Sequence, residues 1–169
     1  MNASFWIEKL QLIQHPEGGC FKETYRAKEG ISKENLPSRF TNDCSFSTAI
    51  YFLLKDKEFS AFHRIHSDEL WHFYSGNTLN IYVIHLNGIL EIIQLGADIE
   101  NGEVFQAMVP AGCWFASRLA EPKMDTFALV GCTVAPGFDF ADFEMAKQEN
   151  LAIEFPMHAT IITELTIQE

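Results

Sequence analysis

Short runs of alternating apolar and polar residues fill the middle of the chain. Turn-forming residues separate these runs, and Asn87-Gly88 is the strongest hairpin signal among them. Alternation with a period of two is typical of strands that bury one face. Many short strands separated by turns predict a β-sandwich or barrel. The predicted strands cover residues 20–27, 45–54, 59–65, 69–74, 79–86, 89–95, 104–109, 114–117 and 126–134.

Helical patterns lie at the two ends of the chain. Apolar residues at Trp6, Leu10 and Ile13 follow helical spacing, and His15-Pro16 ends the pattern because the residue before proline avoids helical backbone angles. We therefore predict one domain, mainly β, with three parts. These are an N-terminal helix over 1–15, a β-barrel over 20–136 and C-terminal helical additions over 139–165.

Charge narrows the range of partners. The 169 residues include 12 Lys and Arg against 23 Asp and Glu, which gives a formal net charge of −11. Nucleic-acid binding depends on clustered basic residues, so we expect no nucleic-acid partner. The sequence has neither an apolar run long enough for a membrane helix nor a basic, apolar leader at its start, so we expect no membrane partner and a cytoplasmic location.

Cysteine and phenylalanine contents add two further observations. The four cysteines form no CxxC pair, which fits buried thiols in a reducing compartment. The 15 Phe residues are many for a chain of this length, and they predict an aromatic interior, a pocket or an interface.

Candidate chemistry is concentrated in residues 63–76. Because side chains alternate along a strand, His63 can lie on an inner face with Ile65, and Glu69 can lie on the inner face of the next strand. A hairpin would then bring His63 and Glu69 together. An imidazole beside a carboxylate is suited to acid–base chemistry or to metal binding, although in an arbitrary hairpin it is more often a buried hydrogen-bonded pair without chemistry.

The same stretch resembles the first conserved motif of the cupin superfamily. His63 and Glu69 match the first His and the Glu of that motif, and Gly76 follows Glu69 at the motif's spacing. Pro110-Ala111-Gly112 matches the second motif. Further blocks resemble one cupin subgroup that is catalogued as a domain of unknown function. These blocks are residues 16–19, 21–26, 62–64, 68–73, 110–115 and 134–138. The resemblance implies a double-stranded β-helix, the cupin jelly roll.

Two departures from the motifs concern the metal that many cupins hold. Ile65 stands where the motif places a second His, and Phe115 stands where it places the third. A firm divalent site normally has three or four protein ligands. His63 and Glu69 supply two, and His66 could join them only if its strand bulges. No cofactor is firmly predicted, and a divalent metal on His63, His66 and Glu69 is the alternative.

The fold is also similar to that of metal-free nucleotide-sugar 3,5-epimerases, in which a barrel His acts as base and a Tyr as acid. That similarity implies roles for residues of this chain. His63 would be the base and Glu69 would orient it, while Tyr25 or Tyr51 would return the proton. Arg26 would hold an anionic group. Aromatic side chains that could stack on a sugar or another ring are Trp71, Phe73, Trp114 and Phe115.

Three functions are compatible with the sequence. The leading one is a small-molecule-binding cupin that acts as a metal-independent epimerase or isomerase on a sugar-like or nucleotide-linked carbonyl compound. The second is a metal-dependent enzyme, and the third is a non-catalytic ligand-binding module. We also expect a homodimer, because open sheet edges favour pairing and related cupins are often dimers.

Overall fold

The computed structural model describes residues 1–167 and has two antiparallel sheets that face each other, as expected for a double-stranded β-helix. Its strands are β1 (Ile13–Gln14), β2 (Cys20–Arg26), β3 (Gly30–Ile31), β4 (Cys44–Ser45), β5 (Thr48–Lys55), β6 (Phe59–Ile65), β7 (Asp68–Gly76), β8 (Leu79–Ile84), β9 (Leu90–Leu95), β10 (Gln106–Val109), β11 (Trp114–Leu119), β12 (Phe127–Ala135) and β13 (Phe143–Met145). Its α-helices are α1 (Ala3–Leu10), α2 (Gln148–Glu154) and α3 (Ala159–Glu164). The mainly β prediction is confirmed.

The first sheet has the order β1-β2-β5-β12-β7-β10, and the second has the order β13-β6-β11-β8-β9. Strands β3 and β4 form a separate two-stranded ribbon. The strands β8 and β9 pair as the predicted hairpin, and Gly88 in its turn has a φ of +82°. The predicted hairpin of β6 and β7 does not form, because these two strands lie in different sheets. Their inner faces meet across the barrel instead.

Apolar side chains from both inner faces fill the space between the sheets, with Trp71, Phe52 and Phe115 among the largest. Outside the second sheet, Leu151 of α2 and Ile162 of α3 pack against Phe62. Outside the first sheet, α1 covers Leu53 and its neighbours. Each terminal helical segment therefore shields one sheet, and the space between the sheets is left for the core and a cavity.

Both helical ends differ from the sequence prediction. Helix α1 is capped by Asn2, whose side chain accepts a hydrogen bond from the backbone N–H of Phe5 at 3.0 Å. It ends at Leu10 because Gln11 adopts a left-handed conformation, with φ of 55°.

At the other end, Asp139 caps only the 3-10 turn Phe140–Asp142, and β13 follows within the segment 139–165, where only helical additions were predicted. The prediction missed β13 because its pairing with β6 joins residues far apart along the chain. None of the helices within residues 1–167 is long and apolar enough to cross a membrane.

Candidate functional site

A partly enclosed cavity of about 80 Å³ lies between the two sheets. Its titratable and charged lining residues are His15, Glu17, Glu23, Arg26, His63, Glu69 and Cys132. The remaining lining residues are Phe21, Thr48, Ile50, Ile65, Val134, Phe138, Phe140 and Phe143. A cavity of this size exceeds the space that one water molecule needs, which is about 10–15 Å³. It therefore has room for a small organic group.

His63 lies on β6, an inner strand of the second sheet. Strand β6 pairs with β11 on one side and β13 on the other, so the backbone of His63 is held from both directions. The ring Nδ1 lies 2.7 Å from the carbonyl oxygen of Ala61. A carbonyl oxygen can only accept, so Nδ1 must carry a proton and donate it. Nε2 is therefore the ring nitrogen that can gain or lose a proton.

The carboxyl group of Glu17 faces Nε2 of His63. Its Oε2 lies 3.1 Å from Nε2 of His63, and its Oε1 accepts a hydrogen bond of 2.8 Å from the Ser60 hydroxyl. Because Nδ1 is already protonated, the close approach of Nε2 and Oε2 is satisfied by one shared proton. The pair is either an imidazole with a carboxylic acid or an imidazolium with a carboxylate.

The turn at residues 15–19 positions Glu17 beside His63. The backbone N–H of Ala61 donates to the carbonyl oxygen of Glu17 at 2.8 Å, which ties the turn to β6 two residues from His63. Gly18 has a φ of +112°, and a Cβ there would collide with the carbonyl oxygen of Phe59. Glycine is needed for both reasons. The backbone N–H of Glu17 also donates to Nδ1 of His15 at 3.3 Å.

Glu69 approaches the cavity from the opposite sheet. Strand β7 pairs there with β12 and β10, and the Glu69 side chain is buried. Within residues 1–167 its hydrogen-bonding partner is the Cys132 thiol, a weak donor. Glu69 and His63 interact electrostatically but form no ion pair within the described chain at 4.0 Å or less. The carboxyl group is thus left facing the cavity with most of its hydrogen-bonding capacity unused.

Burial shifts the pKa values of the deeply placed acid–base groups of the cavity toward their neutral forms. It raises the pKa of Glu17 to about 7 and the pKa of Glu69 to about 7. Burial also lowers the pKa values of His63 and His15. Burial and the neighbouring Glu69 raise the pKa of the Cys132 thiol well above its ordinary value. Near pH 7, each of the two carboxyl groups therefore exists in both its protonated and its ionised form.

Charge at the partly exposed rim of the cavity is balanced internally. The guanidinium of Arg26 donates to both carboxylate oxygens of Glu23, at 3.0 and 2.7 Å, and to the carbonyl oxygen of Phe138 at 3.1 Å. Arg26 does line the cavity, as predicted for an anion-binding residue. Three of its five N–H donors, however, are already engaged, and its charge is paired with Glu23.

Several predicted site residues lie away from the cavity. Tyr25 is 55% exposed, and Tyr51 packs against Tyr74 on the outer face of the first sheet. Neither tyrosine lines the cavity, so the structure does not bring them to His63.

The aromatic residues that were predicted to stack on a ligand pack in the hydrophobic clusters instead. Trp71 is buried against Phe52 and Phe115, with ring centroids 6.0 and 6.4 Å apart, and Phe73 packs on the edge of the same cluster. Trp114 lies on the opposite face of its strand, because alternation along β11 sends it outward when Phe115 points inward.

The aromatic wall of the cavity comes from another part of the chain. It consists of Phe21 and the three residues Phe138, Phe140 and Phe143. Phe140 and Phe143 lie in the segment 139–165, which was predicted to be helical.

The residues do not fit the metal that the cupin motif implies. Phe115 packs on His63 with ring centroids 4.0 Å apart, and Ile65 lines the cavity as an apolar residue. His66 lies outside the cavity, where its Nδ1 is 3.1 Å from an oxygen of Asp142. Across residues 1–167, no three His, Cys, Asp or Glu side chains converge as a metal-binding group.

Glu17 is the main site residue that sequence reasoning missed. The block Pro16-Glu17-Gly18-Gly19 was recognised only as a turn within the family resemblance. A carboxylate next to two glycines, immediately after His15-Pro16, was the available signal. It could not identify Glu17 as the partner of His63, because the contact joins positions 46 residues apart.

Comparison with known proteins agrees with this architecture. The family model described as "Cupin superfamily (DUF985)" matches residues 4–146. An uncharacterized protein of Saccharomyces cerevisiae, YML079W, is 32% identical over 151 residues, which cover 85% of this chain and 75% of the yeast protein.

Solved structures extend the comparison. Protein SO0799 from Shewanella oneidensis is 40% identical with a TM-score of 0.88, covering 100% of this chain and 99% of that one. A hypothetical protein from Leishmania major is 33% identical with a TM-score of 0.90, covering 99% of this chain and 100% of that one. Oxalate decarboxylase from Bacillus subtilis is 15% identical with a TM-score of 0.54, covering 92% of this chain and 37% of the enzyme, and shows the fold alone. The predicted cupin jelly roll is confirmed, and the chain belongs to the DUF985 family of the cupin superfamily.

Proposed function

We propose that this protein binds a small molecule in its barrel and acts as a metal-independent isomerase or epimerase on a sugar-like carbonyl compound. The observation that carries the proposal is the buried pair of His63 and Glu17, which faces Glu69 across an enclosed cavity. Proton removal next to a carbonyl and proton return at another position need one base and one acid. The cavity offers both without a metal ion.

The roles follow from the protonation states. Once Glu17 has lost the proton that it shares with His63, Nε2 of His63 can accept a proton from the carbon next to the substrate carbonyl, and the Glu17 carboxylate stabilises the resulting imidazolium. Glu69, in its protonated form, returns a proton to the enolate from the side of the opposite sheet. The reaction is a net rearrangement, so no oxidant or reductant is consumed.

The pKa values predict a bell-shaped dependence of the rate on pH. The base requires ionised Glu17, which forms as pH rises through about 7, and the acid requires protonated Glu69, which is lost as pH rises through about 7. The rate should therefore be highest near pH 7, where both forms coexist.

The size of the cavity limits the substrate. About 80 Å³ accommodates the reacting part of a small sugar-like molecule. A nucleotide linked to that sugar would have to lie outside the cavity, beyond the rim formed by Arg26 and Glu23.

Deuterium exchange tests the proposal directly. Glyceraldehyde and dihydroxyacetone, incubated with the protein in heavy water, should exchange carbon-bound protons next to the carbonyl and interconvert, as followed by NMR. His63→Asn and Glu69→Gln should each slow the exchange by about 100-fold or more. Tyr51→Phe, at a tyrosine outside the cavity, should leave the rate unchanged.

Two results would overturn the catalytic proposal. One is exchange by His63→Asn at the rate of the unmodified protein. The other is exchange no faster than in protein-free solution for either sugar, which would favour a non-catalytic binding module.

The proposal includes assembly as a homodimer in the cytoplasm. Strand β10 is an open edge of the first sheet, and its exposed Met108 lies directly opposite the exposed Leu70 of β7. Burying such an apolar pair and edge against a second copy is favourable. The four free, buried cysteines fit a reducing compartment. Sedimentation equilibrium should give twice the mass of the chain, and the chain mass itself would refute the dimer.

A further inference from the structure

The charges that line the cavity are unequal. Among the described lining residues, three carboxyl groups are present, those of Glu17, Glu23 and Glu69, whereas Arg26 is the one guanidinium, and there is no lysine. Glu23 and the carbonyl oxygen of Phe138 occupy the donors of Arg26 at its Nε and both terminal nitrogens. The guanidinium of Arg26 is already paired with Glu23, so an entering anion would find no unpaired positive charge. It would meet the carboxyl groups of Glu17 and Glu69, which repel an anion whenever either of them is ionised.

Glu69 provides an independent sign of what the cavity does attract. Its side chain is buried, and it lines the cavity with only a thiol as hydrogen-bond partner within residues 1–167. A buried carboxyl group with unused acceptor capacity is costly unless a ligand donates to it. The best such donor is a positively charged N–H group, since charge-assisted hydrogen bonds are about twice as strong as neutral ones.

The remaining walls fit the same ligand. Phe21, Phe138, Phe140 and Phe143 surround the cavity. Phenyl rings attract a cation that lies over their faces and give an anion no comparable stabilisation. Neutral His15 and His63 add no positive charge, because burial lowers the pKa of both.

We infer that the cavity selects small molecules with a positively charged amino group, which Glu69 binds, over neutral and anionic molecules of the same size. This inference rests on the proposed function because it assigns a charge to the substrate of the same site. Combined with the proton-transfer chemistry, it specifies the substrate class as an amino-substituted, sugar-like carbonyl compound. A bound ammonium group keeps Glu69 ionised, so for such a substrate the ammonium N–H at Glu69 gives the proton to the enolate, and the His63 imidazolium replaces that proton.

Three two-carbon probes of matched size test the inference. Ethanolamine carries a positive charge, ethylene glycol is neutral and glycolate is negative. Each is titrated into the protein up to about 100 mM, a range that detects weak binding near 1 mM, while NMR follows the ring signals of His63. Ethanolamine should bind at least tenfold more tightly than ethylene glycol, and glycolate should bind most weakly.

Variants separate the charge of the cavity from other effects. Glu69→Gln should remove the preference for ethanolamine. Glu23→Gln, at a partly exposed position that is expected to fold, releases the guanidinium of Arg26 and should weaken ethanolamine and strengthen glycolate. Glu149→Gln removes an exposed carboxylate on α2 that does not line the cavity, and it should change none of the three dissociation constants.

The outcomes distinguish this inference from the proposed function. Equal affinity for the three probes, tighter binding of glycolate, or no saturable shift with ethanolamine overturns the inference, even if the protein catalyses exchange of glyceraldehyde. A tenfold preference for ethanolamine that is lost in Glu69→Gln supports it, even if no exchange is found.

Discussion

Replacing Glu17 by glutamine should make the protein more stable at alkaline pH than the unmodified chain. The glutamine keeps the size of the side chain and an oxygen that can accept from the Ser60 hydroxyl. The substitution removes the ionisable proton, which is the one property of this side chain that depends on pH. Any pH-dependent difference between the two proteins therefore reports the burial of this carboxyl group.

The sign follows from proton binding. Burial raises the pKa of Glu17 from 4.5 to about 7, so between these values the folded protein keeps a proton that the unfolded chain has lost. A raised pKa contributes stability that is fully present below pH 4.5 and is lost as pH rises through about 7. The rise from 4.5 to about 7 corresponds to about 3 kcal/mol, with about 1.4 kcal/mol for each pH unit.

Urea unfolding at a series of pH values from 4.5 to 8 measures this loss. The difference in unfolding free energy between Glu17→Gln and the unmodified protein should move by about 3 kcal/mol in favour of the variant across this range. Glu69 is present in both proteins, so its own titration largely cancels. Glu149→Gln, which removes an exposed carboxylate, should follow the unmodified protein at every pH. Parallel curves for Glu17→Gln and the unmodified protein would refute the reasoning.

Two further substitutions test how the site is built. Gly18→Ala should destabilise the protein by about 2–3 kcal/mol, because its Cβ would strike the Phe59 carbonyl and displace the turn that carries Glu17. Gly102→Ala, also at a positive φ but in open space, should cost about 1 kcal/mol, and equal losses in urea unfolding would contradict the collision. Trp71→Ala should cost about 3–5 kcal/mol because Trp71 is buried in the core, while a comparable loss in the exposed Tyr25→Ala would argue against this assignment.

The strands could be predicted because their signals are local. Strand β6 has the same bounds in the prediction and in the structure, since a period-two pattern and flanking turn residues define it within a few positions. The pairing of strands depends on contacts far apart along the chain. The sequence therefore suggested a hairpin of β6 and β7, whereas the jelly-roll topology places them in opposite sheets.

The candidate site was predicted in part for the same reason. Alternation correctly placed His63 and Glu69 on inward-facing positions. It could not find Glu17, whose position depends on a glycine turn that docks on β6. It also could not show that the guanidinium of Arg26 donates hydrogen bonds to Glu23. Charge balance inside a cavity is a property of the folded molecule.

The most direct test of the account is the protonation state of the His63 ring, measured by nitrogen-15 NMR across the neutral pH range. The account predicts a proton on Nδ1, which donates to the Ala61 carbonyl, and a lone pair on Nε2 that faces Glu17. This form should persist below pH 6.5 because burial lowers the pKa of His63. A doubly protonated ring at pH 7, or a neutral ring protonated on Nε2, would contradict the neutral imidazole with a free Nε2 on which the proposed chemistry depends.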